Sequence, residues 1–98
     1  MKNKCGIQQK VRMLPVTDNW YPCYEGGTVR LRLSLNYYNG YYVRLSAWGA
    51  DDFGLDLDRD ADTEEEALNI YKEMENLFDS IPDGVDQDYF YNLGFKQF

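Results

Sequence analysis

Asp51, Asp52, Asp56, Asp58, Asp60, Glu64 and Glu65 crowd carboxylates into one short stretch of the chain. Acids spaced along an exposed edge and a helix start can imitate the charge of a nucleic-acid backbone. The chemistry they offer is capture of a basic protein surface, with fast association that weakens in salt. A hydrolase built on paired carboxylates would need one acid held protonated, and no residue pattern marks one. The run from Asp56 to Asp62 also has the alternate acids of a calcium loop. It departs from that loop at Ala61, where the sharp turn needs glycine, and at Ala67, where the closing glutamate belongs. No helix precedes it. A calcium-binding module is therefore the third reading, and no metal ligand is assigned.

A second constellation has the opposite sign. Arg30, Arg32 and Arg44 share one face of a hairpin with Tyr42 and Trp48. Arginines beside aromatic rings can hold an acidic partner or single-stranded nucleic acid. This face is the alternative binding surface. The bland outcome is that the acids of the following strand neutralise these arginines internally.

Several chemistries are missing. The chain has no histidine, which removes the commonest general base, the Ser-His and Cys-His pairs and most zinc sites. Cys5 and Cys23 form no zinc or redox motif. They read as free thiols, although spacing alone does not exclude a bridge. Gly26-Gly27 lacks the Lys-Ser/Thr of a phosphate loop. The expectation is a protein that binds without catalysis or cofactor.

The charge is unevenly spread. Residues 1–50 hold seven Lys/Arg against two acids, and residues 51–98 hold three against fifteen, giving −7 overall. The two ends of the sequence thus predict a basic face and an acidic face on one body. On this balance the expected partner is a protein with a basic surface, and nucleic acid is disfavoured. At 98 residues, 44% apolar and 16% aromatic, the composition fits one globular domain spanning residues 1–98. The first ten residues carry positive charge with no apolar run behind it, unlike a secretory signal, and no window is apolar enough to span a membrane. The expected location is the cytoplasm.

Elements that could position these groups are legible. Val11 and Met13 alternate with Lys10 and Arg12 in a short strand that should end before Pro15. Residues 17–27 read as a loop, with Trp20, Tyr21 and Tyr24 expected to tuck against the core edge. Residues 28–36 and 41–48 alternate with period two around Asn39-Gly40, a hairpin signal. A two-residue loop would set Leu35 against Arg44, mixing the faces. A three-residue loop pairs Tyr37 with Tyr41, Leu35 with Val43, Leu33 with Leu45 and Leu31 with Ala47. All apolar residues then share one face, so this register is predicted. Gly40 is expected to be the left-handed residue of the turn.

Phe53, Leu55 and Leu57 alternate with acids in a fourth strand, expected at a sheet edge. Thr63 and Glu66 frame a capping box. Ala67, Ile70, Tyr71, Met74, Leu77 and Phe78 form one helical stripe that Pro82-Asp83-Gly84 ends. A short helix from Asp86 should turn Tyr89, Phe90 and Leu93 inward and stop at Gly94, with Phe95 folding back. The predicted class is α+β. It has a small antiparallel sheet of three to four strands around a central hairpin at 28–48. One long and one short helix then pack on one face.

The stretch Val43-Arg44-Leu45-Ser46-Ala47-Trp48-Gly49-Ala50-Asp51-Asp52-Phe53-Gly54-Leu55 resembles a Trp-Gly-x-Asp-Asp-x-Gly segment of small bacteriophage and prophage proteins, in which a capped helix also follows. The resemblance covers roughly residues 43–78. It implies a mobile-element accessory protein in the host cytoplasm. Such proteins look like inhibitors of host nucleic-acid-binding or defence proteins, in the manner of anti-CRISPR or anti-restriction proteins. It carries no functional residue with it. The turn at Trp48–Asp52 also has a purely structural use, since aspartates can hydrogen-bond a turn's own amides.

Overall fold

A computed structural model describes residues 8–16, 27–49 and 54–97. The chain runs as strands β1 (Gln8–Pro15), β2 (Thr28–Tyr37), β3 (Tyr41–Trp48) and β4 (Gly54–Ala61). Helices α1 (Glu64–Ser80) and α2 (Gln87–Asn92) follow, then strand β5 (Lys96–Gln97). The five strands form one antiparallel sheet in the order β1-β2-β3-β4-β5. The class is α+β as predicted, with one strand more than expected. Cys5, Cys23, Trp20, Tyr21, Tyr24, Asp51, Asp52 and Phe53 lie outside the described residues.

The β2–β3 hairpin has the predicted register: Tyr37 pairs with Tyr41, Leu35 with Val43, Leu33 with Leu45 and Leu31 with Ala47. The five aliphatic side chains and Ala47 that this register gathers, together with Val29 and Leu55, are fully buried. The turn differs in detail. Asn39 takes the left-handed conformation at φ 55°, and Gly40 follows at φ 143°. Asn tolerates the left-handed region better than most residues, while the next position remains one for glycine.

Helix α1 lies across β2, β3 and β4 and buries Ala67, Ile70, Tyr71, Met74 and Phe78, with Leu77 half-buried. Its start is capped by Thr63, whose Oγ1 accepts from the Glu66 N–H at 3.1 Å, and its first turn carries three glutamates that suit the helix dipole. Its last turn has no basic residue of its own. Arg12 of β1 fills that role, donating from Nη2 to the carbonyls of Phe78 (3.0 Å) and Ile81 (2.7 Å). Its guanidinium also lies 5.5 Å from the Phe78 ring centroid. Lys10 beside it reaches Glu75 at 3.1 Å and Asp79 at 3.3 Å.

This arrangement turns β1 the other way from a simple amphipathic strand. Lys10 and Arg12 face the helix, because the helix end offers unpaired carbonyls and carboxylates there. Val11 and Met13 are sent to the opposite face, where they stay 53% and 50% exposed. The strand also runs through Pro15 instead of stopping before it. Proline is tolerated at the end of an outer strand, and the Pro15 carbonyl accepts from Gly84 N–H at 2.8 Å.

Two further expectations are corrected. β4 is not wholly an edge, since β5 pairs with it at Leu55 and Asp56. That pairing follows from the end of α2. There Gly94 (φ 101°) donates to Tyr91 O and Phe95 N–H to Phe90 O, the double bond of a Schellman cap. The cap reverses the chain and buries Phe95 against Phe90, with ring centroids 5.1 Å apart. Leu93 is 36% exposed and not inward; it is the C-cap of α2, and Phe90 and Phe95 take the core positions there.

Candidate functional site

Period-two alternation puts everything not facing the helices on one open sheet face. Across β2 and β3 the outward rows are Arg30 with Trp48, Arg32 with Ser46, Ser34 with Arg44, and Asn36 with Tyr42. β4 continues three of these rows with Asp56 beside Ser46, Asp58 beside Arg44 and Asp60 beside Tyr42. The five residues of the alternative face are therefore brought together. Among the described residues no helix lies on this side.

The middle of the face is low because Ser34 and Ser46 are small, and both are buried beneath their neighbours. Arginines and rings stand around them. The result is a hollow of about 270 Å3 between Arg30, Arg32, Arg44, Trp48 and Asp56. Asn36 lies over the serines and donates to Ser34 Oγ at 2.9 Å.

Charge in this hollow is only partly matched. Arg44 forks onto Asp58, with Nε–Oδ1 at 2.8 Å and Nη2–Oδ2 at 2.9 Å, and lies 5.4 Å from the Tyr42 ring centroid. The hydrogen-bonded carboxylate of Asp58 raises the pKa of Arg44, so the guanidinium keeps its charge. Asp56 Oδ2 is 3.9 Å from Arg44 Nε, a looser contact. Among the described residues no carboxylate pairs with Arg30 or Arg32.

Asp56 is the unusual acid. Its Oδ1 is buried and accepts no hydrogen bond, an omission that typically costs about 1–3 kcal/mol. Desolvation pushes its pKa up; Ser46, the Arg44 charge and Trp48 pull it back down, and the first effect wins.

The predicted acidic surface divides. Asp56 and Asp58 belong to the open face and its arginines. Asp60 and Asp62 lie instead at the end of the hairpin, and α1 begins just after them with Glu64, Glu65 and Glu66 in its first turn. Among the described residues none of these five pairs with a lysine or arginine. Their neighbours are tyrosines. Tyr41 donates from its hydroxyl to Glu64 Oε2 at 3.2 Å and meets Tyr37 edge to face at 4.8 Å. Tyr38 is 73% exposed. A second hollow, about 290 Å3, opens here between Tyr38, Tyr41, Tyr42, Asp60 and Asp62.

The tyrosine contribution could have been found from the sequence. Tyr37, Tyr38, Tyr41 and Tyr42 flank the turn, and the fourth strand had to end beside it. The calcium reading loses its geometric basis, since Asp56, Asp58 and Asp60 sit on extended strand. The first and last are spread over about 13 Å instead of wrapped around a point. Among the described residues no three potential metal ligands cluster, and no helix is long and apolar enough to cross a membrane. No protein-family model, no curated protein and no solved structure matches this chain.

Proposed function

We propose that this is a non-enzymatic binding protein that captures a basic protein surface at its acidic, tyrosine-lined hairpin end. One observation carries the reading: Asp60 and Asp62 line a hollow walled by Tyr38, Tyr41 and Tyr42, and among the described residues neither acid pairs with a lysine or arginine. A lysine or arginine of a partner would find a carboxylate and an aromatic face together, and each strengthens the other's hold on a cation. The three glutamates of α1 also steady the helix start, so Asp60 and Asp62 are the acids with no other employment. The resemblance to small phage proteins directs the reading toward a host nucleic-acid-binding or defence protein, whose own ligand is anionic.

The test uses a defined probe. A short arginine-rich peptide titrated into the protein should shift the amide resonances of residues 38–42 and 60–66. Asp60→Asn with Asp62→Asn should weaken binding about tenfold, and raised salt should weaken it further. Shifts confined to the open sheet face, or binding unchanged in the folded double variant, would remove this end as the working surface.

A further inference from the structure

The hollow on the open sheet face is a separate surface, and its chemistry differs from that of the hairpin end. Three features coincide in it. Arg30 and Arg32 stand on β2 as two guanidiniums with no carboxylate partner among the described residues. Two residues apart on one strand, they are separated by about 7 Å, a spacing that lets both reach one tetrahedral anion. Trp48, directly across from Arg30, gives the hollow an indole wall. Asp56, in the same row as Arg32 and Ser46, lines the hollow with a carboxylate whose cation contact, 3.9 Å to Arg44 Nε, is loose.

An anion site, a flat aromatic wall and a carboxylate acceptor form a specific set. A simple anion uses only the first. An acidic peptide uses the first and leaves the ring and the carboxylate idle. A nucleotide uses all three: phosphate on the guanidiniums, base against the indole, exocyclic amino group to the carboxylate. Asp and Glu accept from such amino groups in base recognition. The dimensions agree. β2 and β4 are two strand spacings apart, about 10 Å, which is the span from a phosphate to the far edge of its base. The serine floor leaves room for a sugar and a ring between them.

We propose that this hollow binds a single nucleoside phosphate whose base carries an amino group. The phosphate lies at Arg30 and Arg32, the base lies against Trp48, and the amino group donates to Asp56. A single nucleotide fits better than a strand. Asp58 and Asp60 continue along the same face, and the chain as a whole carries −7, so each further phosphate meets repulsion.

The experiment is calorimetric titration of the full chain with AMP, GMP, CMP and UMP, with ribose 5-phosphate, with inorganic phosphate and with a single-stranded oligonucleotide. At least one amino-bearing nucleotide should bind saturably with Kd below about 1 mM, about tenfold tighter than UMP or ribose 5-phosphate. Arg30→Ala with Arg32→Ala, both exposed positions, should abolish measurable binding while the circular dichroism spectrum is unchanged. Asp56→Ala should erase the preference for amino-bearing bases without erasing binding. The proposal is overturned if no nucleotide saturates, if phosphate alone binds as tightly, or if the double arginine variant binds normally. Affinity that climbs with oligonucleotide length would replace it with a strand-binding surface. These variants leave Asp60 and Asp62 intact, so the outcome is independent of the arginine-rich peptide titration.

Discussion

Asp58 and Asp60 lie two residues apart on the same strand and the same face, yet they belong to different regions. Asp58 is opposite Arg44 and is held by a two-point ion pair. Asp60 is opposite Tyr42 and has no cation among the described residues. The boundary between the arginine hollow and the tyrosine hollow falls between them. Both hollows are edges of one hairpin, and their signs are set by what faces each position across the strands. In sheets this cross-strand neighbour, more than the neighbour along the chain, decides what a side chain can do. A carboxylate count along the sequence therefore overstates the acidic surface, because part of it is used inside the open face.

The largest effect should come from what the two hollows share. Leu33 is fully buried on the core side of the hairpin that carries both, paired with Leu45. Leu33→Ala should cost about 2–5 kcal/mol in chemical denaturation and should weaken both surfaces together. A loss confined to one hollow would mean that they rest on separate supports.

Next in size is the clamp on the helix side. Arg12→Met keeps most of the packing and removes the two hydrogen bonds to the end of α1. It should cost about 1–3 kcal/mol, since charged donors to buried carbonyls are worth more than neutral ones. Amide exchange should speed up first in the last turn of α1 while the rows of the open face stay protected. Uniform acceleration would place the clamp in the global core.

The pair that separates the hollows should give less. Asp58→Asn should cost about 0.2–1 kcal/mol, the range for an exposed ion pair, and a double-mutant cycle with Arg44→Gln should assign that loss to the pair. Asp60→Asn should be neutral or slightly stabilising, because it relieves repulsion from Asp62 and Glu64. Equal costs at 58 and 60 would erase the distinction drawn here.

How much of this was legible beforehand depended on the kind of information each residue carries. The hairpin register followed from one-residue slips, since Leu35 opposite Arg44 is physically expensive and Leu35 opposite Val43 is not. The stripe of α1 and the Thr63 cap were equally local. The orientation of β1 was not, because Val11 and Met13 look like inward residues until Arg12 is known to meet the end of α1, sixty-six residues away. The extra strand at Lys96 depended on the direction in which the Gly94 cap sends the chain. For the sites, the membership of the arginine face was readable from period two alone. The split of the acids was not, since it required the pairing of β4 with β3. The hollow itself needed the three-dimensional contrast between two buried serines and their tall neighbours.

The smallest predicted effect is also the most directional. Asp56 is a carboxyl whose pKa in the folded protein lies above its ordinary value of 3.8, chiefly through desolvation. The folded state then binds its proton more readily than the unfolded state does. As pH rises from about 3.8 through the raised value, the unfolded chain gives up this proton first, and stability falls across that window. Above the window the penalty is constant. Asp58, by contrast, has an arginine in two-point contact, so its charge is matched in the fold. Asp56→Asn removes the penalty while keeping an acceptor toward Ser46. The variant should match the parent in stability below the window and equal or exceed it near neutrality, as read by thermal melts across pH. A variant that is less stable at neutral pH and no different in acid would show the opposite sign. It would mean that the Asp56 charge is worth more to Arg44 than its burial costs, and that the hollow is a closed ion-pair network with no acceptor left to offer.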